Sequence, residues 1–132
     1  MQFLNQYGSN SHWLVRASLA GTFIFHGYGK IPMAAQMSEM MGMPIAMIYM
    51  LAMMEIVGGA LVLWGGIGPD WATRIAGGIF SATMMGAIGM VHWGQWSFMI
   101  TETHPMGGME FQVLILSISL MMLTRGNSLP KS

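Results

Sequence analysis

One carboxylate, Glu55, stands near the middle of a long apolar run. That run covers residues 43–64 and holds no other charged residue. An acidic side chain at the centre of a bilayer costs roughly 2.5 to 3.5 kcal/mol on insertion scales, so Glu55 is expected to face a bundle interior, to be protonated or to be paired. Its role is then a proton relay, a ligand contact or a buried hydrogen bond that fixes helix packing. We expect its partner among Arg16, Arg74, Ser81 and Thr83.

Histidines and carboxylates gather at one predicted membrane interface. His26 and Lys30 lie four residues apart and so share a helix face, and His92 ends a later apolar run. Imidazole binds metals and titrates near neutral pH, so this group could bind a metal, hold a quinone head group or carry protons. The competing interpretation is that polar groups collect where helices meet water. The same interface receives Glu39, Glu102, His104 and Glu110, whereas His12 is expected to take no part.

Methionine is unusually frequent, with 18 residues in the chain. Five of them fall within residues 33–43, and thioethers together with imidazole suit Cu(I), which makes copper handling one hypothesis. Its metal ligands would come from His26, His92 and His104, although no spacing matches a known metal motif. Methionine also recurs along the other apolar runs, as expected of a flexible apolar filler. Trp93, beside His92, could line a ring-shaped ligand.

The composition places these side chains in a membrane protein. Of the 132 residues, 54% are apolar and only 8% charged, against about a quarter charged in soluble domains. Five Lys and Arg balance five Asp and Glu, so no basic surface is left to hold a nucleic acid. The absence of cysteine excludes disulfides and thiolate metal sites. Nucleic-acid binding and thiol redox chemistry are thus both excluded.

Four apolar windows are long enough to cross a hydrocarbon layer, which takes roughly 20 residues. They predict an all-α, membrane-embedded four-helix bundle that forms one domain over residues 1–132. Small residues at intervals of three or four let helices approach closely, as at Ala52 and Gly59, three residues before and four after Glu55, and along Gly78, Ala82 and Gly86. The predicted spans cover residues 13–31, 43–64, 71–93 and 109–123.

The cations predict the orientation of the bundle. With four spans both termini share a side, and that side would hold Arg16, Arg74, Arg125 and Lys131, whereas the other side holds Lys30 alone. Lys and Arg are retained on the cytoplasmic side, so both termini are predicted to be cytoplasmic. The expected location is the inner membrane of a bacterium, with the loops 32–42 and 94–108 outside.

The order of short motifs along the chain resembles the DoxX family. These are Arg16 early in the first span, GYGK over residues 27–30, EIVGG over 55–59, His92 at the end of the third span and GME over 108–110. The resemblance implies a small four-helix membrane protein, in a family associated with a thiosulfate:quinone oxidoreductase and described as membrane redox components or accessory subunits. It also implies functional roles for Arg16, Lys30, Glu55 and Glu110, with His92 a weaker match.

Three functions remain open on these grounds. The first is a quinone-linked redox or proton-handling component of a membrane oxidoreductase system, with Glu55 and Glu110 as proton-handling groups and quinone as the cofactor. Its ligand contacts would come from Arg16, His26, Lys30, His92 and Trp93. The second is a non-catalytic accessory subunit of a larger membrane complex, and the third is copper handling. In each case we expect contact with lipid and with other subunits or further copies of the chain.

Overall fold

The computed structural model describes residue 3 and residues 6–128, and all regular structure in that part is helical. A short 3-10 turn at Gly8–Asn10 precedes four α-helices. The prediction of an all-α fold is therefore confirmed. The helices are α1 (His12–Met41), α2 (Ile45–Ile67), α3 (Asp70–Ala87) and α4 (Glu110–Arg125), and α3 continues into a π-helical turn at Ile88–His92.

Helix α1 extends ten residues beyond the end of the first predicted span, which ended at residue 31. Pro32 lies inside it and the predicted outer loop 32–42 is mostly helix. A proline removes one backbone hydrogen bond, but the following residues are good helix formers, so the helix resumes. It ends at Gly42, whose positive φ of 64° suits glycine and whose N–H donates to the carbonyl of Ser38. Lys30 therefore lies well inside a helix and not at its end.

Two helices are long and apolar enough to cross a membrane: α2, and α3 together with its π-helical turn. Helix α4 has 16 residues, fewer than a full span usually takes, and α1 carries Arg16, His26 and Lys30 within its length. By length and apolar composition, α1 and α4 thus fit a membrane span less well than α2 and α3 do.

The helices pack in chain order, α1 on α2, α2 on α3 and α3 on α4. Short connections at residues 42–44 and 68–69 make the first three antiparallel, and the longer segment 93–109 leads into α4. The start of α1 and the end of α4 meet, because the Arg16 side chain reaches Asn127. Both ends of the described chain therefore lie at one end of the bundle, where Arg74 and Arg125 also lie; Lys131 is outside the described residues.

Glycines set the distance between α1, α2 and α3. A Cβ atom on Gly27 would lie 2.7 Å from the carbonyl oxygen of Ala52, and one on Gly58 would lie 2.7 Å from the Phe80 ring. The space that Gly58 leaves allows Phe80 to stack on Phe23, with ring centroids 3.8 Å apart. Ala52 and Gly59 lie in these contacts, as the spacing of small residues predicts.

The contact between α3 and α4 uses a different glycine from the predicted ones. A Cβ on Gly77 would lie 2.5 Å from the backbone nitrogen of Leu123, whereas one on Gly78 would find only a side-chain carbon at 3.7 Å. Ala82 is exposed and Gly86 has no neighbouring helix against it. The prediction that Gly78, Ala82 and Gly86 form a helix contact is thus wrong. The buried face of α3 contains Gly77 and Phe80, so it is offset by one residue from the predicted face.

Candidate functional site

The central polar contact of the bundle joins α1 to α2. The Nζ atom of Lys30 lies 2.6 Å from Oε2 of Glu55 and also donates, at 3.4 Å, to the carbonyl of His26. Side-chain exposure is 4% for Glu55 and 15% for Lys30. An acid and a base thus share a short hydrogen bond about midway along α2, where the surroundings are apolar.

Local packing explains why Lys30 is the partner of Glu55. Gly27 lets α1 approach α2 at the level of Glu55, and Lys30 follows one helical turn later on α1. Arg16 is nearly four turns away, at the other end of the bundle. The predicted partners Arg16, Arg74, Ser81 and Thr83 are therefore wrong, since the longer α1 carries Lys30 into the interior. The hydroxyls of Ser81 and Thr83 are buried and have no hydrogen-bond partner among the described residues.

His92 is buried at the end of the π-helical turn and is held on both ring nitrogens. Its Nδ1 lies 2.9 Å from the carbonyl oxygen of Gly107, and its Nε2 lies 3.0 Å from the amide nitrogen of Gln112. A carbonyl oxygen only accepts, so the Nδ1–H of His92 donates to Gly107. The other amide atom, Oε1 of Gln112, is buried and has no hydrogen-bond partner within residues 6–128. His92 thus ties the long segment 93–109 to α3 and α4.

Glu110 and His104 hold the same long segment in place. A carboxylate oxygen of Glu110 accepts from the backbone N–H of Phe98 at 3.3 Å, and Nε2 of His104 lies 2.9 Å from the carbonyl of Trp93. The Trp93 side chain itself is largely exposed. These contacts organise the polypeptide between α3 and α4, and a proton-handling role for Glu110 stays a prediction.

The predicted polar interface is divided into separate parts. His26, Glu39 and Glu102 are exposed, Lys30 belongs to the pair with Glu55, and His92 and His104 have their own partners. In the part of the chain that the structure describes, no three His, Asp or Glu side chains come together as metal ligands. His26, His92 and His104, the metal-ligand candidates, do not form such a group among the described residues.

A second polar centre surrounds Arg16 at the end where both termini meet. Its Nη1 donates to the carbonyl of Val62 at 2.7 Å and to Oγ1 of Thr73 at 2.9 Å, and its Nη2 donates to Oδ1 of Asn127 at 2.8 Å. Its Nε donates to Nδ1 of His12 at 3.2 Å. Four of the five guanidinium N–H groups are thus satisfied by four different parts of the chain.

The Arg16 centre holds its charge without an acid beside it. The ion pairs in the described residues are Lys30 with Glu55 and Arg74 with Asp70, so no described carboxylate lies within 4.0 Å of Arg16. Partial burial and the neighbouring Arg16 charge lower the pKa of His12, which favours the neutral ring that accepts the Nε–H. Positive potential therefore persists at this end of the bundle.

Helix α4 is fixed to the same end by a second arginine. Arg74 donates to the carbonyls of Leu123, Thr124 and Arg125, which have no donor within the helix because they lie at its C-terminus, and its Nε lies 2.5 Å from Asp70. Asp70 also accepts from the backbone N–H of Asn127. The N-cap of α3 is Pro69, and the Asp70 carboxylate instead binds Arg74 and the end of the described chain.

Sequence reasoning missed three of these residues, Thr73, Gln112 and Asn127, and misjudged His12. The adjacent glycines Gly65 and Gly66 are a sequence signal for Thr73 and Arg16. A Cβ atom added to Gly65 would meet Thr73, and one added to Gly66 would meet the aliphatic part of the Arg16 side chain. Such a glycine pair near a helix end indicates that another chain segment approaches closely. No signal in a single sequence marks Gln112 or Asn127, because their partners lie 20 and 111 residues away along the chain.

The geometry thus offers two chemically distinct centres. Lys30 and Glu55 can exchange or hold a proton in an apolar setting. Arg16 and its neighbours form a positively charged cluster that holds the helices together at the end where the described termini meet. Arg16 therefore lies apart from His92 and Trp93, although all three were predicted to contact one ligand.

Comparison with known proteins places this architecture in a family. The family model described as DoxX matches residues 12–93, which run from the start of α1 to Trp93 and include both members of the Lys30–Glu55 pair. A protein of Bacillus subtilis (strain 168), "Putative oxidoreductase CatD", is 32% identical over 117 residues, covering 86% of this chain and 78% of the relative. No solved structure matches the chain at a significant level. The chain belongs to the DoxX family.

Proposed function

We propose that this protein is a quinone-linked, proton-handling component of a membrane oxidoreductase system, in the bacterial cytoplasmic membrane with both termini inside. The observation that carries the proposal is the buried pair of Lys30 and Glu55, joined at 2.6 Å within the helical bundle. Membership of the DoxX family and similarity to a protein named as an oxidoreductase support the redox context.

The pair is suited to proton handling because it is poorly solvated and still reachable. Buried ion pairs often gain little stability over apolar residues of the same size, so an apolar bundle does not need one for folding. Glu55 is almost fully buried, whereas Lys30 retains 15% exposure of its side chain, on the side of α1 that carries the exposed His26. A proton can therefore pass between the surface and Glu55 along this face.

In this function the chain's residues handle protons and a redox partner supplies electrons. Reduction of a quinone to a quinol consumes protons as well as electrons. Lys30 would pass a proton from its ammonium group to the Glu55 carboxylate, Glu55 would supply that proton when the quinone is reduced, and the Lys30 amine would take up another proton from the surface. His92 and Trp93 lie in the 88–109 region and would contact a ring-shaped ligand only from that end of the bundle.

The test is quinone-dependent electron transfer in native membranes that carry Glu55→Gln. Glutamine preserves the shape of the side chain and a hydrogen bond to Lys30 but cannot carry a proton. We expect quinone-dependent activity to fall by about 100-fold or more, the range by which a general acid or base contributes. Glu39→Gln removes an exposed carboxylate from the same hairpin and should leave activity unchanged.

Lys30→Gln separates proton handling from a structural role. If the pair relays protons, both Glu55→Gln and Lys30→Gln assemble to normal levels in the membrane and lose activity. Full activity in a well-assembled Glu55→Gln protein would contradict the proposal. Loss of the folded protein in both variants would assign the pair to helix packing alone.

An accessory subunit without chemistry of its own is the second function. The enclosed space beside Arg16 has a volume of about 40 Å³, room for little more than one water molecule, and the larger groove between α1 and α4 is open at the surface. Small-molecule sites usually enclose 300 to 1,000 Å³. This function predicts copurification with a redox enzyme in stoichiometric amount and normal activity of the complex with Glu55→Gln.

A further inference from the structure

The first and last helices leave a groove between them. Because α1 packs on α2 and α4 packs on α3, the two helices face each other across a space of about 300 Å³. Six of its eight lining residues are apolar and come from both helices: Leu14, Val15, Leu19, Leu114, Ile115 and Ile118. The hydroxyl of Ser18 donates to the carbonyl of Leu14, so it presents little free polarity.

A positively charged end closes this groove. The smaller cavity beside it is lined by His12, Arg16 and Arg125, and Val15 lines both spaces, which makes them neighbours along one seam. Among the residues that the structure describes, neither Arg16 nor Arg125 has a carboxylate within 4.0 Å. Arg125 is exposed and Arg16 is buried behind it. The apolar groove between α1 and α4 therefore ends beside Arg16 and Arg125, whose positive charges are not paired with a described carboxylate.

We propose that this seam binds one anionic phospholipid. Its phosphate lies against Arg125, within the positive potential of Arg16, and one acyl chain lies in the groove between α1 and α4. Basic pockets between helices at the cytoplasmic end are the usual sites for anionic head groups, and this end is the one predicted to be cytoplasmic. A free phosphate matches only the charged end, and a neutral lipid matches only the groove. The site does not depend on the proposed redox function.

The experiment measures lipid binding to the full chain purified in a mild detergent, by native mass spectrometry and by the shift in Tm. Dioleoylphosphatidylglycerol, dioleoylphosphatidylcholine and inorganic phosphate are added in separate titrations. We expect one phosphatidylglycerol to bind about tenfold or more tighter than phosphatidylcholine, since each cation near a membrane surface contributes about 1 kcal/mol. Inorganic phosphate should leave Tm unchanged.

Two variants test the two parts of the seam separately. Arg125→Gln should weaken phosphatidylglycerol binding about fivefold, which corresponds to about 1 kcal/mol, while Arg125→Lys keeps the charge and the binding. Ser18→Phe fills the groove and should weaken the same binding. Val57→Phe adds an equal ring to the exposed face of α2 and should leave binding unchanged.

Several outcomes would overturn the assignment. Equal binding of the two lipids would mean that lipid contacts this face without selection by charge. A rise in Tm with inorganic phosphate equal to that with phosphatidylglycerol would assign an ion pocket without a lipid chain. Normal binding by Arg125→Gln would remove the head-group site, and this variant decides the matter even if Ser18→Phe fails to fold.

Discussion

Two buried charges in this bundle are stabilised in different ways. Glu55 is neutralised by one opposite charge, Lys30, at 2.6 Å. Arg16 is surrounded by neutral acceptors, a carbonyl, a hydroxyl, an amide and an imidazole, which satisfy its N–H groups and leave its charge uncompensated. Hydrogen bonds to a charged group are worth about 1.5 to 3 kcal/mol each. Each neutral acceptor around Arg16 therefore contributes more to the stability of the fold than it would in a hydrogen bond with a neutral donor.

Thr73→Val is expected to destabilise the fold by about 1–3 kcal/mol, because valine has the same shape but leaves a buried guanidinium N–H without its acceptor. It also removes the 2.6 Å hydrogen bond from Thr73 to Asn127. Unfolding in mixed micelles with increasing denaturing detergent measures the loss.

Thr83→Val is the matched control on the same helix. The Thr83 hydroxyl is buried and has no hydrogen-bond partner in the described part of the chain, so its removal should change stability by less than about 0.5 kcal/mol or increase it. Equal effects of the two substitutions would show that Thr73 contributes nothing through Arg16.

At the scale of the elements, close helix contacts occur where a glycine faces a neighbouring backbone. Gly27 faces α2, and Gly77 faces α4. Without a hydrophobic driving force between helices in lipid, such close approach supplies much of the packing energy. Neighbouring glycines that face elsewhere contribute nothing to it.

Gly77→Ala is expected to destabilise the bundle by about 1–3 kcal/mol, since its Cβ would lie 2.5 Å from the Leu123 nitrogen and 2.7 Å from the Ser119 carbonyl oxygen, both backbone atoms that cannot move alone. Gly78→Ala adds the same methyl group one residue later, at an ordinary 3.7 Å from a side chain. The same unfolding assay compares them. A loss of stability in Gly78→Ala as large as in Gly77→Ala would contradict the contact.

At the scale of the whole molecule, charge is distributed unevenly between the two ends of the bundle. Arg16, Arg74 and Arg125 lie at the end where the described termini meet, and the long segment 93–109 lies at the other. This arrangement agrees with the orientation proposed above, in which cations are retained in the cytoplasm.

Single cysteines report this orientation directly because the chain has none of its own. Thr103→Cys lies in the exposed long segment and Ser128→Cys lies just after α4. In intact cells a membrane-impermeant thiol reagent should label the cysteine at residue 103 and spare the one at residue 128, which reacts only after the cells are opened. The reverse pattern would invert the orientation, and labelling of both in intact cells would exclude an arrangement of four spans.

The amino-acid sequence by itself determined the helical fold, the approximate position of each helix and the burial of Glu55 with a polar partner. These follow from local quantities, namely apolar run length, turn residues and the cost of a charge in lipid. The match of the motif order to the DoxX family is equally a property of the sequence.

Tertiary structure alone decided which residues meet. Lys30 became the partner of Glu55 because α1 continues through Pro32, and the buried face of α3 includes Gly77 because Phe80 stacks on Phe23. Asn127 joined Arg16 across 111 residues. Periodicity fixes which residues share a face of one helix, but the rotation of each helix against its neighbours is set by packing across the whole bundle, and these partners depend on that rotation.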